Sequence, residues 1–253
     1  MKVLLWLALP LAGGLALLAP AHPRAIPSSL AARVPVVVEL FTSEGCSSCP
    51  AADAALRELE AAQSVPGVEV IALGEHVDYW NRLGWKDGFS SAAYTERQRQ
   101  YAQGFGTGSY TPQAVVNGRY EFVGSRTGEL AQTVAKAAKS PQASITLAPS
   151  GSTVQVRVAS VPAGTAATEV LLAITESGLS SQVGRGENSG RLLRHASVVR
   201  QLMPLGKVGA DGTFTANPEL KIGADWKRPN LRAVALVQEV ASHHIVGVAA
   251  VAL

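Results

Sequence analysis

Cys46 and Cys49 are the whole thiol complement of a 253-residue chain, and they stand three positions apart within ELFTSEGCSSCPAADAAL, residues 39–56. A C-x-x-C pair can shuttle between dithiol and disulfide. The first thiolate attacks a substrate disulfide and the second resolves the mixed disulfide. Two thiolates can also hold a soft metal, or a bridge can simply staple the chain. A bridge closing so short a loop is worth only about 2 kcal/mol in the chain-entropy model, so stability is a weak reason for it. Structural zinc wants four ligands, two more than the pair supplies, and His22, His76, His195, His243 and His244 are scattered along the chain. Idle thiols are the remaining reading.

The elements around the pair favour redox chemistry. The run before it, Val34 to Phe41, is apolar almost throughout, as a strand buried on both faces is. After it, Ala52, Ala55, Leu56 and Leu59 recur at helical spacing, which predicts a helix over 50–62. Backbone N–H groups at such a helix start favour a thiolate. Pro50 suits an early helical position. Cys46 is expected at the loop end, open to solvent, with Cys49 one turn inside. Further on, the pattern predicts a buried strand over 68–73 and a helix over 91–103. Gln113 to Asn117 reads as a strand, Asn117-Gly118 as a hairpin turn, and Tyr120 to Val123 as the partner strand. Thr127 is expected to cap a helix carrying Leu130, Val134 and Ala138. The order is β-α-β-α-β-β-α.

Near Ser140-Pro141 the character changes. Val154, Val156 and Val158 alternate with Gln155 and Arg157, as in a half-buried antiparallel strand. Strands are also expected at 170–175, 231–240 and 245–251, with no helical period among them. The fold class expected is α/β at 34–141, followed by a C-terminal all-β, sandwich-like domain at 142–253.

Hydrophobic residues make up 47% and charged ones 16% of the chain, a globular balance. A net charge of +3 is too small to argue for nucleic acid. Lys2, the apolar run Val3 to Leu18 and Ala19-Pro20-Ala21 describe a signal peptide at 1–21, with a leader at 22–33. The run is shorter than the ~20 residues a spanning helix needs. A periplasmic or secreted protein with no stable membrane span after cleavage is expected, in a compartment where disulfides persist.

The strand–C-x-x-C–helix followed by YTPQAVVNG resembles the thioredoxin superfamily. VELFTSEGCSSCP, HVDYWNRLGWKDGFSS, YTPQAVVNG and GENSGRLLRHASVVR together resemble the exported bacterial domain-of-unknown-function family 1223, across about residues 34–251. The resemblance implies a thioredoxin-like domain at 34–141 and a cis bond between Thr111 and Pro112, with Tyr110, Thr111 and Pro112 as a substrate dock. It implies Cys46 as nucleophile, Cys49 as resolver and Glu39 as a buried proton relay. The plainer reading of Glu39 is a strand-end charge facing water. Two features depart from ordinary thioredoxins: Ser47-Ser48 is the intervening dipeptide, and Gly45 stands where a tryptophan is usual. No organic cofactor is implied beyond the redox-active disulfide. The partners would be a protein or peptide thiol and an unidentified redox partner.

His76, Asp78, Tyr79, Trp80, Trp85 and Phe89 fall within fourteen residues. Aromatics this dense normally pack as a satellite core. The functional reading makes His76 and Trp80 part of a substrate wall, with His76 shuttling protons. A reading of a different class has Cys46, Cys49 and His76 hold Cu(I), which soft sulfur ligands select. Residues 184–200 carry Arg185, Arg191, Arg194 and Arg200 with Glu187 and His195, and read by default as a solvated hairpin.

Overall fold

A computed structural model describes residues 33–253. The expected signal peptide and all but the last residue of the leader lie outside them. The first part runs β1 (Val34–Thr42), α1 (Cys49–Ala62), β2 (Val68–His76), α2 (Ala92–Phe105), β3 (Gln113–Val116), β4 (Tyr120–Val123) and α3 (Thr127–Ala137), the order that the periodicities predict. β1 lies between parallel β2 and antiparallel β3, which explains its unbroken apolar run. Its alternation sorts two faces. Val36, Val38 and Leu40 pack with α1 and α3, whereas Val37 and Phe41 enter other clusters. Asn117 and Gly118 both take positive φ, as the hairpin requires. A Cβ on Gly118 would also fall 2.1 Å from the His243 carbonyl oxygen. Thr127 opens α3 instead of capping it. The cap position is Arg126, with no side-chain bond, while Ser91 does cap α2 by accepting from Ala93 N–H.

The second part is built of strands: β5 (Ser144–Ser150), β6 (Thr153–Ser160), β7 (Thr168–Glu176), β8 (Ser180–Gln182), β9 (Leu192–Arg194), β10 (Val198–Lys207), β11 (Phe214–Ala216), β12 (Leu231–Glu239) and β13 (Ile245–Ala252). The change of character near 141 is a change of element type and not of body. One eight-stranded sheet runs β13-β12-β7-β10-β2-β1-β3-β4, and residues 33–253 fall within one compact unit. The seam is β10 against β2, where Gly74 N–H donates to Ser197 O at 2.6 Å. Gly74 permits this approach, since a Cβ there would stand 3.2 Å from that oxygen. The small sheet β11-β6-β5 covers the far end. Val154, Val156 and Val158 are buried with Leu172, Ile174, Ala233 and Ala235, so the small sheet packs against the large one.

On the sheet face away from α1, helix α2 brings Arg97 to two fully buried carboxylates. Arg97 Nε lies 2.5 Å from Glu39 Oε1 and 3.6 Å from Glu75 Oε1. Tyr101 donates to the other Glu39 oxygen at 2.6 Å. Burial and the adjacent Glu39 hold the Glu75 carboxyl well above the usual range, with Arg97 opposing. The folded chain therefore keeps a proton that the unfolded chain releases near the ordinary value of 4.5. This favours folding most below that value, and the benefit is lost as pH rises toward the folded pKa. Glu75→Gln should remove the slope. In urea melts its stability should gain on the parent as pH rises through this window, approaching about 1.4 kcal/mol per pH unit for one proton. Parallel curves for variant and parent would contradict the assignment.

Candidate functional site at the head of helix α1

The strand-to-helix turn forms as its residues dictate. Cys46 N–H donates to Ser43 O at 3.2 Å, and Cys49 N–H to Cys46 O at 3.3 Å. Cys49 opens the helix and Pro50 follows in its first turn. Cys46 and Cys49 are joined in a disulfide, and the Ser48 hydroxyl lies 3.4 Å from Cys46 Sγ.

Contrary to expectation, Cys46 is 0% exposed and Cys49 1%. The cause lies about 140 residues downstream. The loop joining β8 to β9, residues 183–191, closes over the turn like a strap. Its Asn188, itself fully buried, donates from Nδ2 to Glu44 O and Cys46 O, both at 2.9 Å. Glu187 accepts from Ser47 N–H at 3.0 Å. The Arg191 guanidinium donates to Asn188 Oδ1 at 2.7 Å. So the arginine-rich segment is not a free solvated hairpin; Arg200, too, is paired inward with Glu176 at 2.8 Å.

The proposed dock sits close by. The Thr111–Pro112 bond is cis. Trp80 bridges dock and turn: its indole N–H donates to Thr111 Oγ1 at 2.9 Å, and its Cβ lies 3.2 Å from where a Cβ on Gly45 would be. Tyr110 is turned to Glu121, donating at 2.6 Å. Glu39 is not brought to the cysteines. It occupies the other sheet face with Arg97 and Tyr101, because strand parity places it opposite the residues that contact α1. The buried acid that does accompany the disulfide is Asp53, one helical turn beyond Cys49 on the buried face of α1.

Asp53 belongs to a buried polar cluster. Thr42 Oγ1 donates to Asp53 Oδ2 at 2.7 Å. His76, at the end of β2, meets Asp87 Oδ2 through Nδ1 at 2.7 Å, so it is an interior group and not a solvent-facing wall. His195, just past β9, lies with Nε2 3.2 Å from Glu44 Oε1 and Nδ1 3.9 Å from Asp53 Oδ1. Its ring stands edge-to-face with His76, centroids 4.9 Å apart, and Phe89 covers both. Burial alone would push the His76 imidazole down and the Asp87 carboxyl up. Their mutual contact outweighs it, so His76 is raised and Asp87 lowered. Burial likewise opposes charge on Glu44, but its contacts with His195, Ser181 and Trp85 prevail and hold it low. The sequence signals for this cluster were HVD and LLRH, singly uninformative.

The fold has a counterpart among proteins of known structure. The X-ray structure of protein AGR_C_4864 from Agrobacterium tumefaciens is similar at 29% identity with a TM-score of 0.69, over 87% of this chain and 94% of that one. A domain of the outer membrane lipoprotein Omp28 from Porphyromonas gingivalis aligns at 13% identity and a TM-score of 0.25, over 45% of this chain and 88% of that one. No curated protein matches. The family model described as protein of unknown function (DUF1223) matches residues 37–238, spanning the turn, the cluster and the strap, and the chain belongs to that family.

Proposed function

We propose that the chain is a thiol–disulfide oxidoreductase, its first part thioredoxin-like, working on protein or peptide thiols in an exported setting. The carrying observation is a closed C-x-x-C disulfide at a helix start, with a hydroxyl at Cys46 Sγ and a buried acid one turn from Cys49. A substrate thiolate attacks Cys46 Sγ, the Cys46–Cys49 bond breaks, and Cys49 leaves as a thiolate. A second substrate thiolate then attacks the mixed disulfide and expels the Cys46 thiolate. The substrate dithiol is thereby oxidised to a disulfide and the pair reduced to two thiols, and a redox partner must reoxidise it. The reverse sequence reduces a substrate disulfide. An extended substrate would lie along Thr111 as an added strand.

Burial of Cys46 makes strap opening a required step, since attack needs a path to the sulfur. The strap's ties are hydrogen bonds and a surface carboxylate, the kind of contact that opens locally. The test is trapping. Cys49→Ser, activated at Cys46 by a chromogenic disulfide and mixed with a reduced peptide, should exchange its label for the peptide, seen as added mass. In the parent, insulin reduction should disappear with Cys46→Ser. Insulin reduction by Cys46→Ser at the parental rate would sink this reading.

A further inference from the structure

We infer that Asp53, His76 and His195 form a buried site for a divalent d-block cation of zinc type, bound through two imidazole nitrogens and one carboxylate oxygen. This does not rest on the thiol-exchange reading.

The three side chains come from α1, from the end of β2 and from the residue after β9, and each offers a ligand atom within 4.8 Å of the others. Three polar atoms here, His76 Nε2, His195 Nε2 and Glu44 Oε1, are buried without a hydrogen-bond partner. The 3.2 Å approach of the last two falls outside hydrogen-bond alignment. Buried polar atoms are nearly always satisfied, so the unpartnered His76 Nε2, beside the Asp53 and His195 ligand atoms, points to a missing partner. His76 has Nδ1 engaged by Asp87 at 2.7 Å, which leaves Nε2 as its free atom. Asp53 has Oδ2 engaged by Thr42 at 2.7 Å, and its Oδ1 receives only the long 3.4 Å contact from Ala196 N–H. Oδ1 faces His195 Nδ1 at 3.9 Å. Behind His195, Glu44 stands against Nε2 as Asp87 stands against His76. Both histidines thus have the outer carboxylate that orients metal-bound imidazoles and raises their basicity.

Charge and chemistry agree. Asp53, Glu44 and Asp87 are buried around the two imidazoles, an acidic setting that suits a cation. Two imidazoles and one carboxylate suit zinc-like ions; calcium and magnesium prefer cages of oxygen. Ligands at about 2.0–2.2 Å in a tetrahedron stand roughly 3.3 Å apart, so binding draws the three inward by side-chain adjustment. Three protein ligands leave a fourth position for water or another donor.

The test uses the full chain, oxidised and freed of metal by a chelator, titrated with Zn²⁺ by calorimetry. One ion per chain should bind, and melting temperature should rise with zinc. His76→Gln and His195→Gln should each weaken binding by more than the about 10–100-fold expected for Asp87→Asn, which removes only an orienting partner. Should a histidine variant fail to fold, Co²⁺ bound to the unmutated chain must give the visible spectrum of a four- or five-coordinate nitrogen–oxygen site. Absence of binding at millimolar zinc would overturn the inference. So would unchanged affinity in folded histidine variants, or binding that disappears in Cys46→Ser but survives His195→Gln. Zinc binding by a chain inactive in exchange would sink the thiol chemistry alone, and exchange without zinc binding would sink this site alone.

Discussion

Arg97→Met is expected to lower unfolding free energy by about 3–5 kcal/mol, the usual effect of breaking a buried ion pair from one side. Arg97 is the cation between Glu39 and Glu75, both 0% exposed, and it also reaches Tyr101 OH at 3.0 Å. With Arg97 gone, two carboxylates from neighbouring strands face each other without a counter-ion in the interior. Part of the loss is met by protonating one or both, so the deficit should grow with pH. Adding Glu39→Gln and Glu75→Gln to Arg97→Met should recover much of the stability, since the penalty comes from stranded charge more than from lost attraction. Urea midpoints of the two variants and the parent check this. A parental midpoint in Arg97→Met would mean that the cluster carries no structural weight. The consequence for the site is indirect: the cluster ties α2 to β1 and β2, the strands that deliver the cysteine turn and His76.

Asn188→Ala should speed reduction of the Cys46–Cys49 disulfide by dithiothreitol by about 5–150-fold. The estimate takes two lost hydrogen bonds at about 0.5–1.5 kcal/mol each and assigns them to the opening step. Asn188 is the strap's inner tie, holding the carbonyls on both sides of Gly45. Glu187→Ala removes only an exposed tie and should change the rate less. Timed quenching with an alkylating reagent gives the rates, and circular dichroism verifies the fold. If Asn188→Ala is reduced at the parental rate, the strap is not what guards the sulfur. In the opposite outcome, the second half of the chain would set access to chemistry carried by the first.

Some of this was legible in order and spacing alone. The C-x-x-C at a strand-to-helix join, the Asn117-Gly118 hairpin and the alternation at Val154, Val156 and Val158 depend on neighbours within a few residues, so local rules reach them. β10 escaped notice because Arg200, Gln201, Pro204 and Gly206 interrupt its apolar pattern, and register shifts on both sides of Leu202 blur the period. Without β10 the two halves read as separate domains; with it, they share a sheet. Glu39 misled for a related reason. A strand apolar on both faces gives parity without saying which parity meets α1.

From its residues alone the chain determined where its thiols stand, which elements carry them and which family it belongs to, because these follow from short-range periodicity and motif. Tertiary contact decided the rest: that Asn188 seals Cys46, and that His195 meets His76 and Asp53. These pairings join segments more than 100 residues apart in the chain. Such meetings arise from how one sheet is assembled, and no local pattern encodes them.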